Sequence, residues 1–243
     1  MFVRIPAVAS LALATVASTP ALAQLMMVDD LPGTFVDISS TGTPFHLSGD
    51  LSTTITSTVS NAVFPAGDVV VSNNGGIAFG SPPSTTLAAI NQPIPSTQAF
   101  GGGQSLLPYW DDIGNTIGEI EWEHKRASLI IQWTQKPFEG STDTATFQIQ
   151  IFDGVPYPPA GGIYAQFIYL DIEQPRAGGG ASATIGYQNG PAAYNDVQWS
   201  VDTPGAVANG TVLSLIPEPA TLTSLGVLLL AIRSHRRGLP FLR

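Results

Sequence analysis

Residues 144–154, TATFQIQIFDG, alternate between apolar and polar positions. The apolar positions are Ala145, Phe147, Ile149 and Ile151, and the polar positions between them are Thr146, Gln148 and Gln150. Successive side chains of a β-strand point to opposite faces of the sheet. The pattern therefore predicts a strand with one buried face and one face in water.

Further strands follow from similar patterns separated by turn residues. Val69–Ser72 and Ile77–Phe79 flank Asn73-Asn74-Gly75-Gly76, a hairpin signal because Asn and Gly tolerate positive φ. A second hairpin is predicted from residues 119–123 and 128–133, with a polar turn between them. The segments GIYAQFIYLDIE (162–173) and ASATIGYQNG (181–190) continue the series. We also expect a covering loop over residues 80–105, with a short helical turn at 86–91.

This spacing of strands and turns predicts an all-β fold, an antiparallel β-sandwich or jelly-roll-like single domain over residues 24–216. Charged residues make up only 11% of the chain, whereas Gly (25) and Pro (20) are plentiful. That composition is typical of short strands joined by turns and argues against a helical bundle.

The two ends of the chain differ from the body. Residues 1–23 have one cation at Arg4, an apolar run, and Ala21-Leu22-Ala23, which together predict a secretory signal helix cleaved after Ala23. Residues 220–232 are apolar enough to predict a second helix, and Arg233, Arg236 and Arg237 follow at once. At ~1.5 Å per residue this helix covers only about two thirds of a ~30 Å hydrocarbon core.

The C-terminal end resembles a PEP-CTERM sorting signal. The match consists of Pro217-Glu218-Pro219, the apolar helix and the arginine cluster, over residues 217–237, followed by a short tail at 238–243. The resemblance implies recognition by an exosortase, a membrane protease of Gram-negative-type bacteria that make exopolysaccharide. It also implies transient membrane insertion of the helix, then release to the cell surface, biofilm or extracellular matrix. A plain single-pass tail anchor is the alternative.

Residues 106–190 resemble the NIDO module of nidogen-type adhesion proteins. The resemblance is carried by LLPYWDDI, SLIIQWTQ, ATFQIQIFDG, IYAQFIYLDI and SATIGYQNG in that order. It implies adhesive or matrix contacts and no catalytic residue. The chain departs from the family in VPYPPAGG, which lengthens one loop, and in its lack of cysteine.

Charge and composition restrict the classes of partner. The net charge is −9, and five of the nine Lys and Arg residues lie in the two ends. Nucleic acid is therefore not an expected partner, because phosphate binding needs clustered Lys and Arg. Without cysteine, an exported domain must be stabilised by its hydrophobic core rather than by disulfides.

Three groups of residues are candidates for chemistry. Asp111, Asp112 and Asn115 supply oxygen ligands of the kind Ca²⁺ takes, while the alternative is a turn whose Asp side chains cap backbone amides. Glu119, Glu121 and Glu123 share one strand face. Two of them could form the carboxylate pair of a glycosidase, and the alternative is that all three simply face water. Seven aromatic residues, Tyr109, Trp110, Trp122, Trp133, Tyr157, Tyr164 and Trp199, are candidates for stacking on sugar rings.

The sequence therefore predicts an exported, non-enzymatic protein of the bacterial cell envelope, outer surface or matrix. Its expected partners are an exosortase-type protease and exopolysaccharide or other surface proteins, and no cofactor is expected, with Ca²⁺ as a candidate ligand. Two alternatives remain open: a secreted carbohydrate-binding, lectin-like β-sandwich, and a glycoside-active enzyme. The catalytic motifs G-x-S-x-G and H-E-x-x-H do not occur in the chain.

Overall fold

The structure is a computed structural model that describes residues 24–47, 50–114, 116–154, 162–172, 178–190 and 195–218. The predicted signal helix and the predicted C-terminal helix lie outside these residues. Within them, no helix is long and apolar enough to cross a membrane.

The described chain is all-β, as predicted. Its strands, in chain order, are β1 (Leu25–Val28), β2 (Thr43–Phe45), β3 (Ser52–Ser57), β4 (Gly67–Ser72), β5 (Gly76–Phe79), β6 (Gln104–Trp110), β7 (Glu119–Lys125), β8 (Ser128–Pro137), β9 (Thr144–Phe152), β10 (Ala165–Asp171), β11 (Thr184–Asn189), β12 (Val197–Val201) and β13 (Val212–Pro217). A 3₁₀ turn at Phe100–Gly102 precedes β6.

Two antiparallel sheets form a sandwich. The first, sheet A, has seven strands in the order β1-β13-β10-β9-β8-β7-β2, and the second, sheet B, has six in the order β12-β11-β6-β5-β4-β3. Both predicted hairpins are confirmed, as β4–β5 and β7–β8. The predicted strands around residues 145–151, 162–173 and 181–190 are confirmed as β9, β10 and β11.

The core lies between the inner faces of the sheets. Trp133 of β8 stacks on Phe147 of β9 with ring centroids 5.0 Å apart, and Tyr109 of β6 reaches Phe147 from sheet B at 5.7 Å. These aromatic side chains are fully buried. Such contacts stabilise the sandwich without disulfides, because large aromatic side chains remove much apolar area from water.

The outward side chains of β9, Thr146, Gln148 and Gln150, are buried, so the prediction of a wet face on β9 is wrong. An extended segment, residues 32–38, crosses this outer face of sheet A and is called the strap below. Gln148 accepts a hydrogen bond from the Val36 amide at 3.0 Å and donates one to the Val36 carbonyl, also at 3.0 Å. Gln150 donates to the Thr34 carbonyl at 2.9 Å, and Gln132 accepts from the Ile38 amide at 3.1 Å. A row of glutamines on adjacent strands therefore binds the backbone of the strap.

Residues 80–103 cover the outer face of sheet B, as the predicted covering loop requires. Leu87, Ala99 and Phe100 pack on apolar side chains of β4, β5 and β6, including the fully buried Trp110. The predicted helical turn at 86–91 is wrong, because Leu87 instead forms an antiparallel bridge with Ala99. The covering loop adds apolar packing to hydrogen bonds of the same kind, because Gln188 accepts from the Ser96 amide at 2.5 Å and Gln198 accepts from the Ile94 amide at 3.0 Å.

Candidate functional site

The first and last described residues lie side by side at one end of sheet A. Strand β1 pairs antiparallel with β13, with Leu25 opposite Pro217 and Met27 opposite Leu215. One step further out, the amide of Glu218 donates a hydrogen bond of 2.6 Å to the carbonyl of Gln24. The residue after the predicted signal cleavage therefore contacts the glutamate of the predicted sorting tripeptide.

The sequence accounts for this end of the fold. Leu25 and Met27 are buried and alternate with the half-buried Met26, which fits a short edge strand over the core. Pro217 ends β13, where a missing amide hydrogen costs little. The remaining predicted sorting and cleavage residues, Ala21, Ala23, Pro219, Arg233, Arg236 and Arg237, lie outside the described residues.

The candidate calcium ligands are placed in part. Asp111 is buried, and its Oδ1 accepts a hydrogen bond from the Asp112 amide at 2.8 Å while its Oδ2 accepts one from Ser182 Oγ at 2.6 Å. Asn115 lies outside the described residues, and the described residues hold no group of three or more His, Cys, Asp or Glu side chains able to hold a metal ion. Amide capping by Asp111 agrees with the turn alternative, while calcium binding stays a prediction.

Each glutamate of β7 has a different partner. Glu119 lies 3.7 Å from His46 Nδ1, Thr134 donates to Glu121 at 2.8 Å, and Thr41 donates to Glu123 at 2.8 Å. The hydrogen bonds of Glu121 and Glu123 attach β7 to β8 and to Thr41, whereas the contact of Glu119 with His46 is long and exposed. Of the three, Glu121 is the buried one, and desolvation raises its pKa above the ordinary value, while burial lowers the pKa of the neighbouring Lys136.

The candidate sugar-stacking aromatics divide into buried and partly exposed groups. Tyr109, Trp110 and Trp133 are fully buried and cannot present a ring to a ligand. Trp122 is partly buried, with Phe45 stacked at 6.4 Å between ring centroids and His124 edge-on at 5.4 Å. Tyr157 lies outside the described residues. Sequence reasoning missed Phe45, because β2 has only three residues and one apolar side chain.

A cavity of about 650 Å³ lies on the outer face of sheet A, beside the turn of the β7–β8 hairpin. Its apolar lining includes Val36 of the strap, Ile130 of β8 and Phe152 of β9, and its rim includes Lys125 and Arg126. From the sequence, these two cations fall in the polar turn predicted between residues 123 and 128. The cavity depends on the strap, whose path could not be anticipated from the local pattern.

Comparison with known proteins identifies the family. A family model described as NIDO related matches residues 27–224, a longer stretch than the resemblance over residues 106–190 suggested. Comparisons with curated proteins and with solved structures gave no match. The family match spans every strand from β2 to β13 and part of β1, so it includes both sheets of the sandwich. The chain belongs to the NIDO-related family.

Proposed function

We propose that the protein is an exported, non-enzymatic component of the bacterial cell surface or extracellular matrix, sorted by an exosortase through Pro217-Glu218-Pro219. Membership of the NIDO-related family supports an extracellular, non-catalytic module. Two glutamates of β7 support the same conclusion, since Glu121 and Glu123 accept hydrogen bonds that join strands and segments of the fold. The observation that carries the sorting proposal is that the last strand of the folded domain, β13, ends inside the tripeptide at Pro217.

This placement has a physical consequence for export. Only Glu218 and Pro219 separate β13 from the predicted apolar helix that begins at Ala220, and two extended residues reach at most about 7 Å. The folded domain would therefore sit directly against the membrane before the tail is cleaved. Glu218 is exposed, so a membrane protease could reach the tripeptide from outside the sandwich.

Mass spectrometry of the chain from the producing cells tests the sorting proposal. The mature protein is expected to begin at Gln24 and to lack Arg233, Arg236 and Arg237. The double variant E218A/P219A, which leaves strand β13 intact, is expected to accumulate in the membrane fraction with these arginines attached. The matched control T203A/P204A changes an exposed turn and should be processed like the wild type. A stable wild-type chain that retains Arg243 would contradict the proposal.

Carbohydrate binding is the second candidate function. It is supported by the cavity beside the β7–β8 turn, which combines apolar and charged lining residues. Ligand sites are commonly concave and apolar with a few polar groups, at volumes of roughly 300–1,000 Å³. A glycan array that includes the exopolysaccharide of the producing cells tests this candidate, and silence across the array would remove it.

A further inference from the structure

The cavity beside the β7–β8 turn has a preformed wall. Ser128 of β8 pairs with Phe152 of β9, and Ile130 pairs with Gln150, so the outward side chains of these pairs form its floor. Val36 closes one side, held through both its amide and its carbonyl by Gln148. The floor and this wall are therefore positioned before any ligand arrives.

The rim of the cavity carries the exposed Lys and Arg side chains of the described chain. Among the Lys and Arg residues that the structure describes, Lys136 is buried, and the other two, Lys125 and Arg126, both line the cavity. Lys125 Nζ lies 3.8 Å from Glu123 Oε2, with side-chain exposures of 40% and 26%. Such solvent-exposed pairs are weak and exchange readily. Arg126 makes no ion pair with any residue that the structure describes. Two cations are thus available at one apolar cavity of an acidic protein.

Arg126 also occupies an unusual backbone position. It begins the two-residue turn between Lys125 and Ser128, and its φ is +58°. Gly and Asn adopt this left-handed conformation more readily than arginine, and they dominate such turns. The turn alone does not require an arginine. An arginine here places a planar guanidinium at the cavity, and the N–H donors of that group match the two oxygens of a carboxylate.

From this geometry we infer that the cavity binds a uronic acid residue of an acidic polysaccharide. Arg126 and Lys125 receive the carboxylate, while the C–H face of the sugar ring packs on Phe152 and Val36, which are both partly exposed. Asp153 at the rim is exposed and accepts hydroxyl hydrogen bonds, although its Oδ1 already accepts one from the Ser60 amide at 2.9 Å. This inference rests on the carbohydrate-binding candidate and does not depend on exosortase sorting.

Calorimetric titration of the protein purified from the producing cells tests the inference. The probe is trigalacturonic acid, with its methyl ester as the uncharged control. The wild type is expected to bind the acid, more weakly as salt is added, and to bind the ester at least about tenfold less tightly, because the ester has no carboxylate. Equal affinity for acid and ester would overturn the assignment. Benzoate binding as tight as that of the uronate would show a general apolar-anion site and would overturn the sugar assignment.

The variant R126N separates binding from folding. Asparagine suits the left-handed turn, so the variant is expected to melt at the same temperature as the wild type or higher. Its affinity for trigalacturonic acid is expected to fall at least about tenfold. R126K keeps the positive charge but lacks the planar guanidinium, so its affinity should lie between those of the wild type and R126N. Unchanged affinity in R126N would refute the inference. Because R126N should be exported and cleaved like the wild type, the outcome is independent of the sorting test.

Discussion

The amide of Glu218 donates a hydrogen bond of 2.6 Å to the carbonyl of Gln24. The residue next to the predicted signal cleavage therefore lies beside the tripeptide at which we expect the exosortase to cut. Leu25 and Met27 hold the β1–β13 pair to the core from the β1 side. Without β1, β13 would become the edge strand of sheet A, and Pro217 and Glu218 would lose the backbone that they lie against. The stability of β1 and the presentation of the tripeptide are therefore coupled.

Met27→Ala tests whether β1 anchors this end of the sheet. Met27 is 8% exposed, and truncating a buried methionine typically costs about 2–5 kcal/mol; an edge strand belongs at the lower end. Urea denaturation should show a loss of about 2 kcal/mol. Met26→Ala, in the same strand but half-buried, is the matched control and should lose less than about 1 kcal/mol. Equal losses in the two variants would mean that β1 does not anchor this end of the sheet.

Gln148→Leu tests the attachment of the strap. The side chain of Gln148 is fully buried and hydrogen-bonds the amide and the carbonyl of Val36. Leucine has a similar size but leaves both backbone groups without their partner, which costs roughly 1–3 kcal/mol for each group that remains buried. We expect a loss of about 2–4 kcal/mol and faster proteolysis within residues 32–38.

The exposed Gln98 provides the control for this substitution. Gln98→Leu makes the same chemical change in the covering loop and should alter stability by less than about 0.5 kcal/mol. If Gln148→Leu were equally mild, water would be replacing the glutamine, and the strap would be held by other contacts.

The features that sequence reasoning predicted correctly are local. The β4–β5 hairpin follows from Asn-Gly turn chemistry, and β9 follows from its alternating pattern. Strand β3, Ser52–Ser57, was missed because it holds one aliphatic residue, Ile55, among Ser and Thr. Its identity as a strand depends on pairing with β4, which a pattern within six residues does not reveal.

The features that were missed depend on contacts distant in sequence. Val36 and Gln148 are separated by 112 positions, and a glutamine that binds backbone has the same sequence pattern as one that faces water. The cavity beside Arg126 follows from that same contact, so the candidate site could not be assembled from the sequence. The sequence identifies Lys125 and Arg126 as cations. That they border an apolar cavity follows only from the position of the strap, whose Val36 lines the same cavity.

Gly75→Ala tests the buried turn between β4 and β5. Gly75 has a φ of +75°, and a Cβ there would lie 2.0 Å from the carbonyl oxygen of Tyr109. Backbone atoms of β6 cannot move away cheaply, so we expect a loss of more than about 4 kcal/mol or failure to fold. Gly140 has a φ of +70°, and a Cβ added to it would meet no atom within 4 Å, so Gly140→Ala isolates the backbone cost at about 1–2 kcal/mol. Similar losses in thermal denaturation would show that β6 shifts to accommodate the methyl group.

Glu121→Gln tests the buried carboxylate of β7 through pH. Burial raises the pKa of Glu121, so the folded state binds this proton more tightly than the unfolded chain does. The resulting stability is fully present below the unfolded value of 4.5 and is lost as pH rises through the folded pKa. Glutamine resembles the protonated acid and still accepts the Thr134 hydrogen bond, so the variant should match the wild type at pH 4 and be the more stable of the two at pH 7.

Urea denaturation at the two pH values measures this difference. Glu123→Gln is the control, because it removes a partly exposed carboxylate from the same strand face and should show no such gain at pH 7. Lys136 opposes the effect of burial on the pKa of Glu121, because its positive charge favours the ionised carboxylate. This attraction limits the stability that Glu121→Gln gains at pH 7. If Glu121→Gln were instead destabilised at pH 7, attraction to Lys136 would outweigh desolvation, and the carboxylate would stabilise the fold in its charged form.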